Sequence, residues 1–387
     1  MNVMERMKAI SADKKIADFR EKQQQPYEFK VNYAYARAWE FFNECQKRNL
    51  NCHVSVGGLD SITLYLFLKS IGIHVPAVSA SVLEDKSIQK VHNELGIIKL
   101  KPLKSKVTVI KEFGYPILSK EIAGKISLLQ RQTPESATVR HAIITGETGE
   151  YGGNRKNTRM KMSQKWLELF GGYENEKENV DYLKPDFKVS DKCCYYLKEK
   201  PCDEWAKANN SVPYLGLMAS EGGRRQKSLM INGCNYFGAS TIRSAPFAIF
   251  SRQDLLQLAL DLNVPVPTIY GTIERDDNGM LYTTKAQRTG CSMCGFGIQK
   301  ETTRPHRFDL LYQNNPQEWH YWMYDIGFGH VFDYIGFKWQ QPMTPGEKSW
   351  ISKKEMQAQI DAKKSARTAA TATDGLSSDS LKALLKS

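Results

Sequence analysis

The chain has 387 residues, 41% hydrophobic and 25% charged, which fits a globular protein with one large or two ordinary cores and excludes a fibrous or wholly disordered one. Lys and Arg number 54 against 42 Asp and Glu, a formal charge of +12 that favours anionic partners: nucleotides, sulfate, phosphate or nucleic acid. No apolar run approaches the roughly 18 residues of a membrane span, the first residues lack a signal-type hydrophobic core, and eight cysteines that include an adjacent pair do not read as a secreted disulfide framework. A cytoplasmic, reducing setting with no membrane partner is expected.

Residues 1–28 are charged and Gln-rich and predict a surface-lying or mobile helical arm. Residues 31–49 place Tyr33, Tyr35, Trp39 and Phe42 at helical spacing, the pattern of core packing. Residues 51–56 read as a short buried strand, followed by Gly57-Gly58-Leu59-Asp60-Ser61 and a helix over 62–70. A strand, a glycine pair and a helix N-terminus make an anion cradle. Glycine lets the backbone come close, and the unpaired N–H groups of the first turn face the oxyanion. Asp60 or Ser61 is placed to cap the helix. A second strand is predicted over 75–81, with Glu84 just beyond it, then a helix over 87–95 and a third strand over 97–100. Strand–helix–strand order implies a parallel right-handed crossover. Ligands in such sheets bind at the carboxyl ends of strands, which brings Gly57, Gly58, Ser61, Ser81 and Glu84 toward one crevice.

Residues 115–121 open another helix, and 131–185 form a polar excursion around a helix at 162–170. Arg155, Lys156, Arg159, Lys161 and Lys165 in that excursion suit either a nucleic-acid backbone or a solvated loop. Cys193-Cys194 follows, then a buried strand over 212–219 that ends in Ser220-Glu-Gly-Gly-Arg-Arg225. Arg224 and Arg225, just past a strand terminus, are placed for forked contacts to phosphate or sulfate. Ser251-Arg-Gln-Asp254 is a capping box before the periodic 255–262, which Pro265 and Pro267 follow. A second cysteine pair, Cys291 and Cys294, comes next. Four sulfurs from two loops satisfy an iron–sulfur cubane or a tetrahedral ion. Aromatic-rich 304–340 is predicted to cover the core, and His306, His320 and His330 lack ligand spacing and read as structural. Beyond 346 the Lys/Ala/Ser/Thr composition predicts a low-complexity, disordered tail.

Together these motifs resemble the phosphoadenosine phosphosulfate (PAPS) reductase family within the PP-loop adenine-nucleotide enzymes, over about 50–340. Gly57-Gly58-Leu59-Asp60-Ser61 is similar to the PP-loop S-G-G-x-D-S, and Ser81-Val-Leu-Glu84 to T-G-L-E. Cys193-Cys194-x-x-x-Lys198-x-x-Pro201 with Cys291-x-x-Cys294 resembles the cysteine set of iron–sulfur adenosine phosphosulfate reductases. Tyr115-Pro-Ile-Leu-Ser-Lys120, Gly233-Cys-Asn235, Arg288-Thr-Gly-Cys291 and Gly336-Phe-Lys338 resemble the branch carried by bacteriophages and mobile elements, which implies a bacterial or phage-infected cell. The resemblance implies an α/β fold, a parallel sheet flanked by helices of the adenine-nucleotide alpha-hydrolase-like, Rossmann-like kind, with a helical C-terminal cover. It implies an arm at 1–28, a PP-loop domain at 29–345 (variable insertion 130–185, cysteine-bearing part 186–300) and a tail at 346–387.

For chemistry the resemblance implies ATP or an adenylyl sulfate held by Ser55, Gly57, Gly58, Asp60, Ser61, Ser81 and Glu84, with Mg²⁺ if ATP is used. It implies Lys198, Arg224 and Arg225 as catalytic cations, a 4Fe–4S cluster on Cys193, Cys194, Cys291 and Cys294, and a thioredoxin-like electron donor. Val56 stands where the family has Ser, Leu59 where many members have Lys, and Val82 where the family has Gly. The tail also lacks the family's nucleophilic cysteine, leaving Cys202 and Cys234 as substitutes. The expected activity is adenylylation with pyrophosphate release, or adenylyl-sulfate reduction. The rivals are sulfur transfer to DNA or tRNA and a non-catalytic nucleotide-binding regulator.

Overall fold

The computed structural model describes residues 3–80, 83–131, 137–173 and 180–384, with side chains outside 3–10, 137, 223–225 and 371–384. The chain divides into two compact units, 1–104 with 195–292 and 105–194 with 293–387. The strands in chain order are β1 Asn51–Ser55, β2 Ala77–Ser79, β3 Ile98–Lys99, β4 Ile117–Leu118, β5 Ser211–Leu215, β6 Asn235–Phe237, β7 Ile242–Ser244, β8 Ile273–Arg275, β9 Leu281–Thr283 and β10 Gly295–Phe296.

The first unit is built on one six-stranded sheet of order β3-β2-β1-β5-β7-β6. Its pairings are parallel except for the β6–β7 edge, so this is a mostly parallel α/β sheet flanked by helices. β1 is central, and Cys52, His53 and Val54 are buried in succession, as a strand covered on both faces requires. The chain runs from β1 outward through β2 to β3, then returns to place β5 on the other side of β1. The β1–β5 boundary is therefore where the strand order reverses, the position at which open α/β sheets leave a crevice.

The helix Tyr27–Lys47 buries Ala34, Ala38, Phe41 and Cys45, a stripe at three-to-four-residue spacing. Of the aromatics expected to pack, Trp39, Tyr33 and Phe42 lie partly buried against this core, and Tyr35 is exposed. The small Ala and Cys side chains let the helix approach its neighbours closely, and Phe41 fills the gap against Tyr214 at 5.0 Å between rings. The N-terminal helix Val3–Gln23 sets Phe19 into the same core and touches the helix Gly223–Asn232.

The second unit has its own core, and the 304–340 aromatics form it: Phe308, Trp319, Trp322, Phe328, Phe332, Phe337 and Trp339 are all buried there. The histidines behave as expected of structural groups. His306 caps the helix Arg307–Asn314, and His330 pairs with Asp186. β4 and β10 form a short parallel pair in this unit. The predicted disordered tail is instead a helix, Lys353–Leu384. Met356 and Ile360, four residues apart, enter the second core, and Lys364 pairs with Glu168 at 2.9 Å. Ala, Lys and Gln are strong helix formers, so two apolar positions suffice to hold the start of such a segment. Among the described residues no helix is long and apolar enough to cross a membrane.

Candidate functional site

Gly58 is the N-cap of the helix Leu59–Ser70 and offers no side chain to the N–H groups of its first turn. Val56 and Leu59, the two departures from the expected cradle sequence, are 6% and 1% exposed and belong to the core. Their apolar character is thus explained by packing, and the turn offers its backbone. Ser61 Oγ accepts the Gly57 N–H at 2.7 Å and donates to the Gly58 carbonyl at 2.9 Å. The Leu59 N–H donates to Tyr270 Oη at 3.2 Å. His92, fully buried, sets its Nε2 2.8 Å from the Gly57 carbonyl oxygen. A carbonyl only accepts, so Nε2 carries the hydrogen. Burial holds the His92 pKa below its ordinary value, so it braces the turn as a neutral imidazole.

Around this turn lies a cavity of about 360 Å³, at the lower end of the roughly 300–1,000 Å³ range of small-molecule sites. Ser55, Gly57, Gly58, Asp60, Ser61 and Glu84 line it, so six of the seven residues expected to hold nucleotide are brought together. The seventh, Ser81, lies outside the described residues. The opposite wall comes from the end of β5 and from distant loops: Leu215, Gly216, Leu217, Glu221, Tyr270 and 287–289. A Cβ on Gly216 would stand 3.0 Å from the Asp60 carbonyl and the Ser61 backbone, so glycine is what lets β5 close on the helix start.

Charges of both signs face the cavity. Asp60 accepts from Arg252 Nη1 at 2.5 Å. Burial raises the Asp60 pKa, Arg252 and Arg288 oppose that, and Glu221 adds to it. Glu84, whose side chain is 7% exposed, binds Lys198 Nζ through Oε1 at 2.5 Å. Its Oε2 is buried with no hydrogen-bond partner among the described residues and lies 4.0 Å from where a Cβ on Gly57 would stand. Lys198 stands on a single π-helical turn, Tyr195–Glu199, directly after Cys194; such turns recur at functional sites. Burial opposes its charge, but the Cys291 sulfur and Glu84 outweigh burial and raise its pKa. Lys198 thus links the cavity to Cys291. Arg224 and Arg225 head the helix Gly223–Asn232 after Glu221, with side chains outside the described set.

None of the eight cysteines is joined in a disulfide. Cys291 belongs to the first unit, and Cys193, Cys194 and Cys294 to the second. Within the second unit the helix Lys106–Phe113 touches Lys192–Cys194, and Lys106 Nζ donates to the carbonyl of Met293, next to Cys294, at 2.7 Å. No three His, Cys, Asp or Glu side chains are grouped as ligands of a metal ion among the described residues. Burial pushes the thiols of Cys202 and Cys234 up to about 11, so neither is an activated nucleophile at neutral pH. In the basic segment, Arg159 pairs with Glu121, Lys156 with Glu147, and Lys165 lies 4.6 Å from the rings of Trp166 and Trp350.

The wall residues Gly216 and Tyr270 were not found from sequence. Gly216 carries a signal in hindsight, a glycine just past a buried strand. Tyr270 carries none, because its place depends on a contact across 211 positions of chain.

No family model matches the sequence, and no curated protein matches it. Among solved structures, the chain is similar to phosphoadenylyl-sulfate (PAPS) reductase from Candida auris in a phosphate complex. That match has 9% identity and a TM-score of 0.32, covering 66% of this chain and 98% of that one.

Proposed function

We propose that this protein is an enzyme that holds the phosphate or sulfate groups of an adenine nucleotide over the Gly57–Gly58 turn. The observation that carries the reading is where the cavity lies: at the carboxyl ends of β1 and β5, where the strand order reverses, floored by a glycine turn and a helix N-terminus. Arg252 and Arg288 supply positive charge there, and Arg224 and Arg225 are proposed to steady charge on the leaving group. Glu84 Oε2 would take a ligand hydroxyl or a water on Mg²⁺. The sequence resemblance makes ATP or an adenylyl sulfate the nucleotide. It also makes Cys193, Cys194, Cys291 and Cys294 the expected holders of a 4Fe–4S cluster; cysteine sulfur is the ligand such a cluster takes, but among the described residues no three of them are grouped as metal ligands. A bound cluster would supply a polarising centre, and Lys198, which holds Glu84 in the cavity, is proposed as a catalytic cation toward the nucleotide.

Of the two reactions, displacement of pyrophosphate from the α-phosphorus is favoured over reduction. Reduction needs a thiolate nucleophile, and the substitutes Cys202 and Cys234 are held as neutral thiols. The test is product analysis on anaerobically purified protein given ATP or adenosine phosphosulfate, with iron and acid-labile sulfide measured in parallel. Pyrophosphate from ATP is expected, lost in Gly57→Val, with iron and sulfide falling together in Cys193→Ala. Sulfite without pyrophosphate would favour reduction. Binding without product would leave a regulator, and zinc in place of iron would remove the cluster.

A further inference from the structure

The anion seat is already spoken for in part by a hydroxyl of the protein itself. Tyr270 Oη accepts the Leu59 N–H at 3.2 Å and lies 2.7 Å from Thr289 Oγ1. It also stands 2.2 Å from where a Cβ on Gly58 would be, so the space beside this glycine is filled by the tyrosine. The ring cannot easily withdraw. Tyr270 is 3% exposed within the first unit's core. Its backbone is tied on both sides: Tyr270 N–H to the Pro267 carbonyl at 2.9 Å, Lys285 N–H to the Tyr270 carbonyl at 3.0 Å, and Ile269 N–H to Ser87 Oγ at 3.1 Å.

We propose that Tyr270 restricts the seat, its hydroxyl holding the Leu59 N–H that an entering phosphate oxygen would otherwise take. Tyr270 is then a specificity-determining residue: it takes one helix-terminal donor out of play and narrows the seat on the Gly58 side. The bound anion is left with the remaining donors and with Arg252 and Arg288. This rests on the nucleotide-site reading and adds to it which donor the ligand is denied.

The test uses inorganic pyrophosphate as probe and calorimetric titration of the full chain. Tyr270→Phe keeps the ring and removes only the oxygen. It returns one N–H donor to the ligand, so pyrophosphate should bind about five- to tenfold tighter than to wild type. Equal or weaker binding by Tyr270→Phe would overturn the restriction, since it would mean that the hydroxyl is neutral or helps hold the anion. If neither protein binds pyrophosphate or ATP, the nucleotide-site reading falls, and the restriction with it. A second measurement reads the hydroxyl's position without any ligand. Gly58→Ala should lower the thermal midpoint sharply in wild type and much less beside Tyr270→Phe. The nearest remaining atoms would then be Thr289 Oγ1 at 3.2 Å and the ring carbon at 3.5 Å. An equal loss in both backgrounds would show that the oxygen is not there.

Discussion

His53, in the middle of β1, is 1% exposed, with its Nδ1 2.8 Å from Ser211 Oγ and its ring 5.1 Å from Trp205. Burial lowers its pKa from 6.5 to about 4. The unfolded chain therefore takes up this proton before the folded one does. The histidine's contribution to stability is whole above pH 6.5 and is lost as pH falls toward about 4. That loss is about 2 kcal/mol between pH 7 and pH 5. His92 and His306, also lowered by burial, act in the same direction. Urea unfolding should show wild type losing about 2 kcal/mol more than His53→Gln across that interval; parallel losses would mean that His53 is not held neutral. At this scale the sequence reading was least complete. Val56 and Leu59 looked like weakened ligands because motif comparison assumes that every side chain of a loop faces the ligand, whereas these two face the core. Tyr270 gave no local sign at all.

Among elements, the helix Arg252–Asp261 ties the cavity to the rest of the first unit. Ser251 Oγ accepts the Asp254 N–H, and Asp254 accepts the Ser251 N–H at 2.6 Å, a complete capping box. Asp254 also takes the buried Lys30 at 2.9 Å, and the first residue of the helix, Arg252, reaches Asp60 in the cavity. Ser251→Ala should cost about 1 kcal/mol in chemical denaturation. Asp254→Ala should cost about 3 kcal/mol or more, because it also strands a buried ammonium. Similar costs for the two would mean that the Lys30 pair contributes little. Elements whose signals are local were legible. The capping box, the strand–glycine–helix order and the three parallel strands through β3 follow from residues a few positions apart. The C-terminal helix Lys353–Leu384 was not legible, because low-complexity composition hides a pair of apolar residues that become informative only once a core is there to receive them.

At the level of the whole molecule, a charge of +12 favours anionic partners, and the proposed function places their seat in the glycine-floored cavity at the sheet's reversal point. The fold class and most of the cavity floor could be read from sequence because one contiguous stretch, 51–61, builds them. The far wall could not, since it is assembled from β5 and a loop more than two hundred residues downstream of the turn. Gly57 is the cleanest handle on this arrangement. A Cβ there meets no protein atom nearer than 3.8 Å, so a side chain begins there in ordinary van der Waals contact and extends into the seat. The deciding measurement is equilibrium titration of ATP, adenosine phosphosulfate and PAPS into wild type and Gly57→Val, with thermal midpoints recorded for both. The account predicts that at least one nucleotide binds wild type at one site per chain and that binding disappears in Gly57→Val at an unchanged midpoint. Nucleotide binding that survives Gly57→Val, or no binding of any of the three to wild type, would contradict it.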